Sequence, residues 1–172
     1  IHTVLTSKVN SLKHISKHIF IGPDLMKEDE LNPEFTEDKS LMTSWRKTAA
    51  SQGIRARVGR WNIDGKPLVI LIDFSQYISK KDQIFAKLWE TYKLDSISGN
   101  WTYIEATLFG YVAGKTIESY TNYFSNAGEK TVAHFHEWMS GAGILHLHNS
   151  APQIATVFTT HATVVGRCIA GN

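Results

Sequence analysis

The chain has 172 residues, 42% of them hydrophobic and 20% charged, with a net charge of +2 at pH 7. That length suits one domain with a real core, and so small a charge, with Lys and Arg scattered along the chain, argues against a nucleic-acid partner. A single cysteine, Cys168, excludes an internal disulfide framework and suits a reducing compartment, and the longest apolar runs, such as Leu68 to Ile72, are far below a membrane span.

In chain order, residues 3–13 predict a short helix, with Val4, Leu5, Val9 and Leu12 at mixed helical spacing. His18-Ile19-Phe20-Ile21 predicts a strand, stopped by Gly22-Pro23. Residues 24–38 are acidic (Asp24, Glu28, Asp29, Glu30, Glu34, Glu37, Asp38) and read as a solvated surface insertion. Ser40 to Ala50 predicts a helix closed by Gly53. Arg55 to Ile63 predicts a strand with Arg55, Arg57 and Gly59 on one face and Ala56 and Val58 on the other. Asp64-Gly65 turns the chain and Pro67 to Phe74 returns it, making a hairpin. Residues 81–92 and 103–124 predict helices, the second with an apolar stripe of Ile104, Leu108, Tyr111, Val112, Tyr120 and Phe124. Strand 131–135, helix 138–148, strand 154–160 and a helix beginning near Ala162 complete the chain. That closing order implies parallel strands joined by crossovers, so the expected class is α/β with a sheet mostly parallel in its C-terminal half.

In an open α/β sheet, ligands bind outside the carboxyl ends of the strands. Val132 to Gly141 and Val157 to Arg167 each run from a strand into a cluster of polar and small residues at such an end. His134 and His136 share a strand face, which suggests a metal pair. A third ligand is lacking, since His146 and His148 point about 200° apart on a helix and no Cys or carboxylate stands at ligand spacing. Hydrogen-bonded histidines are therefore favoured, no metal is expected, and His146 and His148 are read as helix-surface or core-edge residues. Gly141 and Gly143 permit close approach of backbone to strand or ligand. The absence of G-x-G-x-x-G after a strand, and of a P-loop, removes sequence support for nicotinamide and ATP. The absence of G-x-S-x-G does the same for a nucleophile elbow. Thr159-Thr160-His161 then suggests a ligand contact by His161 together with helix N-terminal amides, which favour anions. Arg167 lies about one and a half turns farther on, where it is equally suited to a phosphate or carboxylate and to a surface ion pair.

At these residues the chain resembles the glycogen synthases of the fungal and animal type, retaining glucosyltransferases that use UDP-glucose. The family pattern V-A-H-F-H-E-W-x-x-G is matched by Val132 to Gly141, and x-F-T-T-H-A-T-x-x-G-R by the segment ending Phe158 to Arg167. Gly59-Arg60-Trp61-Asn62-Ile63-Asp64-Gly65-Lys66-Pro67 resembles the family's G-R-W-x-I-x-G-x-P hairpin. Leu88-Trp89 and Leu108-Phe109-Gly110-Tyr111 fall where the family has its L-W and L-x-G helices, and Ile1-His2-Thr3-Val4-Leu5 resembles the segment after its glycine loop.

The resemblance implies a GT-B fold of two Rossmann-like domains, with residues 1–172 as a partial N-terminal, acceptor-side domain. It implies that the first strand, the glycine loop and the C-terminal domain lie outside this chain, so that the chain alone is catalytically incomplete. Loss of that strand should leave two unpaired sheet edges. His161 resembles the catalytic-site histidine lining the donor-glucose pocket, its backbone carbonyl facing the anomeric region. Arg167 resembles an arginine that helps hold the donor, and His136, Glu137 and Trp138 the wall beside them. Met139, Ser140, Cys168 and Ile169 depart from the family's usual residues and read as packing changes. The implied partners are UDP-glucose and an α-1,4-glucan, with no cofactor and with helix amides and arginine holding the diphosphate in place of a metal. A cytoplasmic address and a homo-oligomeric full-length enzyme are also implied. Two other classes remain: a GT-B glycosyltransferase with another sugar-nucleotide donor, and a non-catalytic glucan-binding or assembly module.

Overall fold

The computed structural model describes residues 2–12, 17–25, 33–124 and 129–170. The chain divides into two compact units, residues 1–74 and 75–172, each with its own sheet.

The first unit comprises α1 (His2–Leu12), β1 (Ile19–Pro23), β2 (Phe35–Glu37), α2 (Thr43–Ser51), β3 (Arg55–Trp61) and β4 (Leu68–Asp73). Its strand order is β1-β4-β3-β2. The predicted hairpin is present, β3 and β4 pairing antiparallel from Arg55↔Asp73 to Arg60↔Leu68. Its turn requires left-handed backbone, which Gly65 adopts at φ 82° without the clash a Cβ would bring. β4 is apolar from Leu68 to Ile72 because it is central, with β3 on one side and β1 parallel to it on the other, Ile19↔Leu68 to Pro23↔Ile72. Val58, Ile70 and Ile72 are fully buried, as are Trp45 and Ala49 of α2, which packs on β3.

The acidic stretch departs from its expected form. Residues 26–32, with Glu28, Asp29 and Glu30, lie outside the described residues. The far end is a strand rather than a solvated insertion: β2 pairs antiparallel with β3, Phe35↔Trp61 to Glu37↔Gly59. Phe35 is buried. Glu37 pairs with Arg57 at 3.0 Å and Arg46 at 3.4 Å, and Asp24 meets the same Arg57 at 3.5 Å. Gly59 admits this third strand, since a Cβ there would stand 2.8 Å from the Glu37 Cα.

The second unit opens with a 3-10 turn at Ser75–Lys80. It continues through α3 (Lys81–Tyr92), α4 (Trp101–Phe124), β5 (Val132–His136), a 3-10 turn at Trp138–Ser140, α5 (Gly141–Ser150), β6 (Ala155–Thr159) and α6 (Val164–Ile169). β5 and β6 are parallel, as the strand–helix–strand order predicts, from Val132↔Ala155 to His136↔Thr159. Helix α5, the crossover, joins Leu147 to a core with Ala133, Phe135, Ala151 and Ile154. Full burial of a side chain such as Leu147 contributes about 1.5–3 kcal/mol.

The predicted stripe of α4 is only part of its buried face. Leu108 and Val112 are fully buried, but the small residues Thr107, Gly110, Ala113, Gly114, Thr116 and Ser119 are buried too. The cause is a backbone-to-backbone crossing with α5: a Cβ on Gly114 would lie 2.9 Å from the Gly143 Cα, and one on Gly143 would lie 2.6 Å from the Gly110 carbonyl oxygen. Small side chains let the helices approach to this distance, and larger ones would hold them apart. The expected close approach thus occurs at Gly143; a Cβ on Gly141 would meet nothing within 4 Å.

Candidate functional site

β5 alternates strictly. Ala133 and Phe135 point into the core, while Val132, His134 and His136 face the other way. In a parallel pair, register partners share a face, so Val157 and Thr159 of β6 join the two histidines there. His134 Nε2 lies 2.8 Å from Thr159 Oγ1, and the His134 ring stacks on His136 with centroids 4.2 Å apart. His136 Nδ1 lies 2.9 Å from His161 Nε2, the two rings inclined by only 15°. The histidine pair of β5 is therefore hydrogen-bonded, as favoured from sequence. Among the described residues, no group of three His, Cys, Asp or Glu side chains is arranged to hold a metal ion.

Beyond β5 the chain takes an unusual step. Glu137 sits at φ 67°, ψ 161°, a region nearly confined to glycine that costs about 1–3 kcal/mol for other residues. Hydrogen bonds on every side hold it there. The Glu137 N–H donates to the Thr159 carbonyl at 2.9 Å, extending the parallel ladder by one rung. The one hydrogen of the Ser140 hydroxyl is shared between the carbonyls of His136 (2.9 Å) and Glu137 (3.0 Å), and the Ser140 N–H donates to Glu137 O at 3.1 Å. Behind this turn lies α4: a Cβ on Gly110 would stand 3.1 Å from Ser140 backbone atoms. Ser140, read from sequence as a packing change, is thus the residue that ties the turn. No sequence signal marks it, because serine is common in turns of every kind.

The strained turn aims the Glu137 carboxylate across to the end of β6. Its Oε1 accepts from the backbone N–H of His161 at 2.7 Å and of Ala162 at 3.2 Å. These are the amides that sequence reading offered to a bound anion, so the anion there is the chain's own carboxylate. The expected helix start near Ala162 moves accordingly: α6 begins at Val164, and Thr163 caps it by accepting from the Gly166 N–H at 2.9 Å. The geometry brings His136, Glu137 and His161 together. Trp138 follows in the 3-10 turn, 51% exposed. Arg167 lies within α6, and its side chain is outside the described residues. His146 and His148 take no part. His148 is exposed on α5, while His146 is half-buried against Glu118 (2.7 Å) and Tyr111. Burial holds the His146 pKa below its ordinary value of 6.5, against the opposing pull of the Glu118 hydrogen bond and charge.

Comparison with known proteins settles the family. The model describing glycogen synthase matches residues 1–172. The chain belongs to the glycogen synthase family. It is 31% identical to a glycogen [starch] synthase of Caenorhabditis elegans, an alignment covering 97% of this chain and 25% of that protein. It is 29% identical to the Neurospora crassa protein of the same name, over 97% of this chain and 24% of the relative. Glycogen [starch] synthase isoform 2 of Saccharomyces cerevisiae is 28% identical over 100% of this chain and 26% of its own length. The chain therefore spans about a quarter of the length of these glycogen synthases. The mixed α/β architecture and the parallel β5–β6 pair are consistent with an α/β glycosyltransferase domain. No helix among the described residues is long and apolar enough to cross a membrane.

Proposed function

We propose that this chain is part of a glycogen synthase that transfers glucose from UDP-glucose to the non-reducing end of an α-1,4-glucan with retention. In this reading the chain belongs to the acceptor-side, N-terminal domain of a GT-B enzyme, cytoplasmic and homo-oligomeric in its full-length form. The ends of β5 and β6 form one wall of the donor pocket. The observation that carries the reading is the bond from Glu137 Oε1 to the His161 N–H, which fixes the histidine next to His136 where two parallel strands end.

Each residue has a task in that pocket. Glu137 uses one carboxylate oxygen to hold the backbone amides of His161 and Ala162. His161, with its backbone held, lines the pocket for the transferred glucose and offers its carbonyl to the anomeric region. Arg167 supplies a cation for the donor phosphates, and Trp138 and His136 complete the wall. Preorganised groups of this kind act because they need no reorganisation as charge develops on the sugar and departing UDP.

Kinetics of the full-length enzyme test the reading. His161→Ala and Arg167→Ala are each expected to lower turnover by about 100- to 1000-fold, the usual cost of losing one preorganised charge-stabilising group, with melting little changed. Near wild-type turnover by well-folded His161→Ala protein would show that the donor sugar lies elsewhere.

A further inference from the structure

His161 is held at two points. The Glu137 carboxylate grips its backbone N–H at 2.7 Å, which leaves the side-chain torsions undetermined. The contact that orients the ring is the one to His136, Nδ1 to Nε2 at 2.9 Å, with the rings nearly parallel. His136 is itself steadied: it stacks on His134, whose Nε2 meets Thr159 Oγ1 at 2.8 Å. A row of three imidazoles, anchored on a hydroxyl of β6, thus ends on His161.

Two neutral imidazole nitrogens facing each other at this distance share one hydrogen. Either His136 Nδ1 donates, and His161 then carries its own hydrogen on Nδ1, or His161 Nε2 donates and its Nδ1 is an acceptor. The state of His136 therefore decides whether His161 Nδ1 gives or takes a hydrogen bond. We infer that His136 is a positioning residue for His161, setting the orientation and tautomer of its ring and hence the hydrogen bond it offers to the transferred sugar. The inference rests on the reading that His161 faces that sugar.

The full-length enzyme provides the test through two variants at one position. Asparagine places its amide about where Nδ1 of histidine sits, so His136→Asn keeps a non-titrating partner for His161 Nε2, while His136→Ala removes it. His136→Ala is expected to lower kcat by about 10- to 100-fold, the range found when the partner orienting a metal-ligating histidine is lost. His136→Asn should recover most of that loss. A His136→Ala enzyme with wild-type turnover overturns the inference, as does a His136→Asn enzyme that turns over no faster than His136→Ala. Loss in His161→Ala with none in His136→Ala removes the positioning role alone. Wild-type turnover in His161→Ala removes the placing of the sugar and this inference with it.

Discussion

In the sheet of residues 1–74, β4 has a neighbour on each side and buries Leu68, Val69, Ile70 and Ile72. In the sheet of residues 75–172, β6 pairs, among the described residues, with β5 alone and leaves Val157 44% and Phe158 47% exposed. The two sheets divide labour by which faces are committed to packing. Between its ends, a strand buried on both faces has no position open to a ligand. Among the described residues β5 packs into a core by one face, where Ala133 and Phe135 anchor it, while His134 and His136 stand on the other. The polar groups of the first unit show the complementary pattern. Glu37, Arg46, Arg57 and Asp24 are consumed in ion pairs that tie β2, α2, β3 and the end of β1 together.

The sharpest way to break the contrast is to disturb the packing behind the histidine face. Gly143→Ala is expected to destabilise the protein by about 1–3 kcal/mol, as overpacking does, because the new Cβ meets Phe135 and the Gly110 carbonyl oxygen. Gly141→Ala, two residues away and in open space, should stay within about 0.5 kcal/mol of wild type. Thermal melts of the two variants check this, and equal melting would mean that the α4–α5 crossing does not hold the turn.

A smaller effect should come from pH. His146 has a folded-state pKa below its ordinary 6.5, because burial disfavours the imidazolium. The native state then binds fewer protons than the unfolded chain, so stability is full above pH about 6.5 and declines as the pH falls below it. Melting temperature followed through this range should drop more steeply in wild type than in His146→Gln, and parallel curves would remove the assignment. The smallest effect belongs to the first unit's surface. Arg55 and Asp73 meet at 3.4 Å with the Arg55 side chain 65% exposed, so Arg55→Ala should cost about 0–1 kcal/mol. A loss of several kcal/mol on chemical denaturation would show that this pair belongs to the network of its neighbours.

Much of this was legible from spacing alone. The hairpin, α3, α4 and the parallel β5–β6 pair follow from alternation, helical period and turn residues within short windows, where the governing contacts are local. β2 escaped because three residues carry no period, and Glu37 looks solvated until Arg57 and Arg46 are brought to it from other elements. The stripe of α4 is incomplete as a buried face because part of its partner is backbone, and a search for large apolar side chains passes over Gly110 and Gly114. At the site, the residue types at 136, 137 and 161 were visible, but their bonds join positions more than twenty residues apart, and no local pattern announces a glutamate at positive φ.

The register of β5 against β6 has a consequence for how such a chain can vary. Successive residues of a strand alternate faces, so shifting β6 by one position would carry Thr159 to the core side and withdraw it from His134. The connection from α5 into β6 is fixed by the Ile154 N–H to Ala151 carbonyl bond at 3.0 Å and by burial of both residues. An inserted or deleted residue between Ala151 and Ala155 would therefore reach the histidine row without touching any member of it. At the hairpin tip of residues 62–66, largely exposed, the same change in length would fall on solvent. Descent with changing loop lengths is free to edit one end of this chain's architecture and is barred from the other.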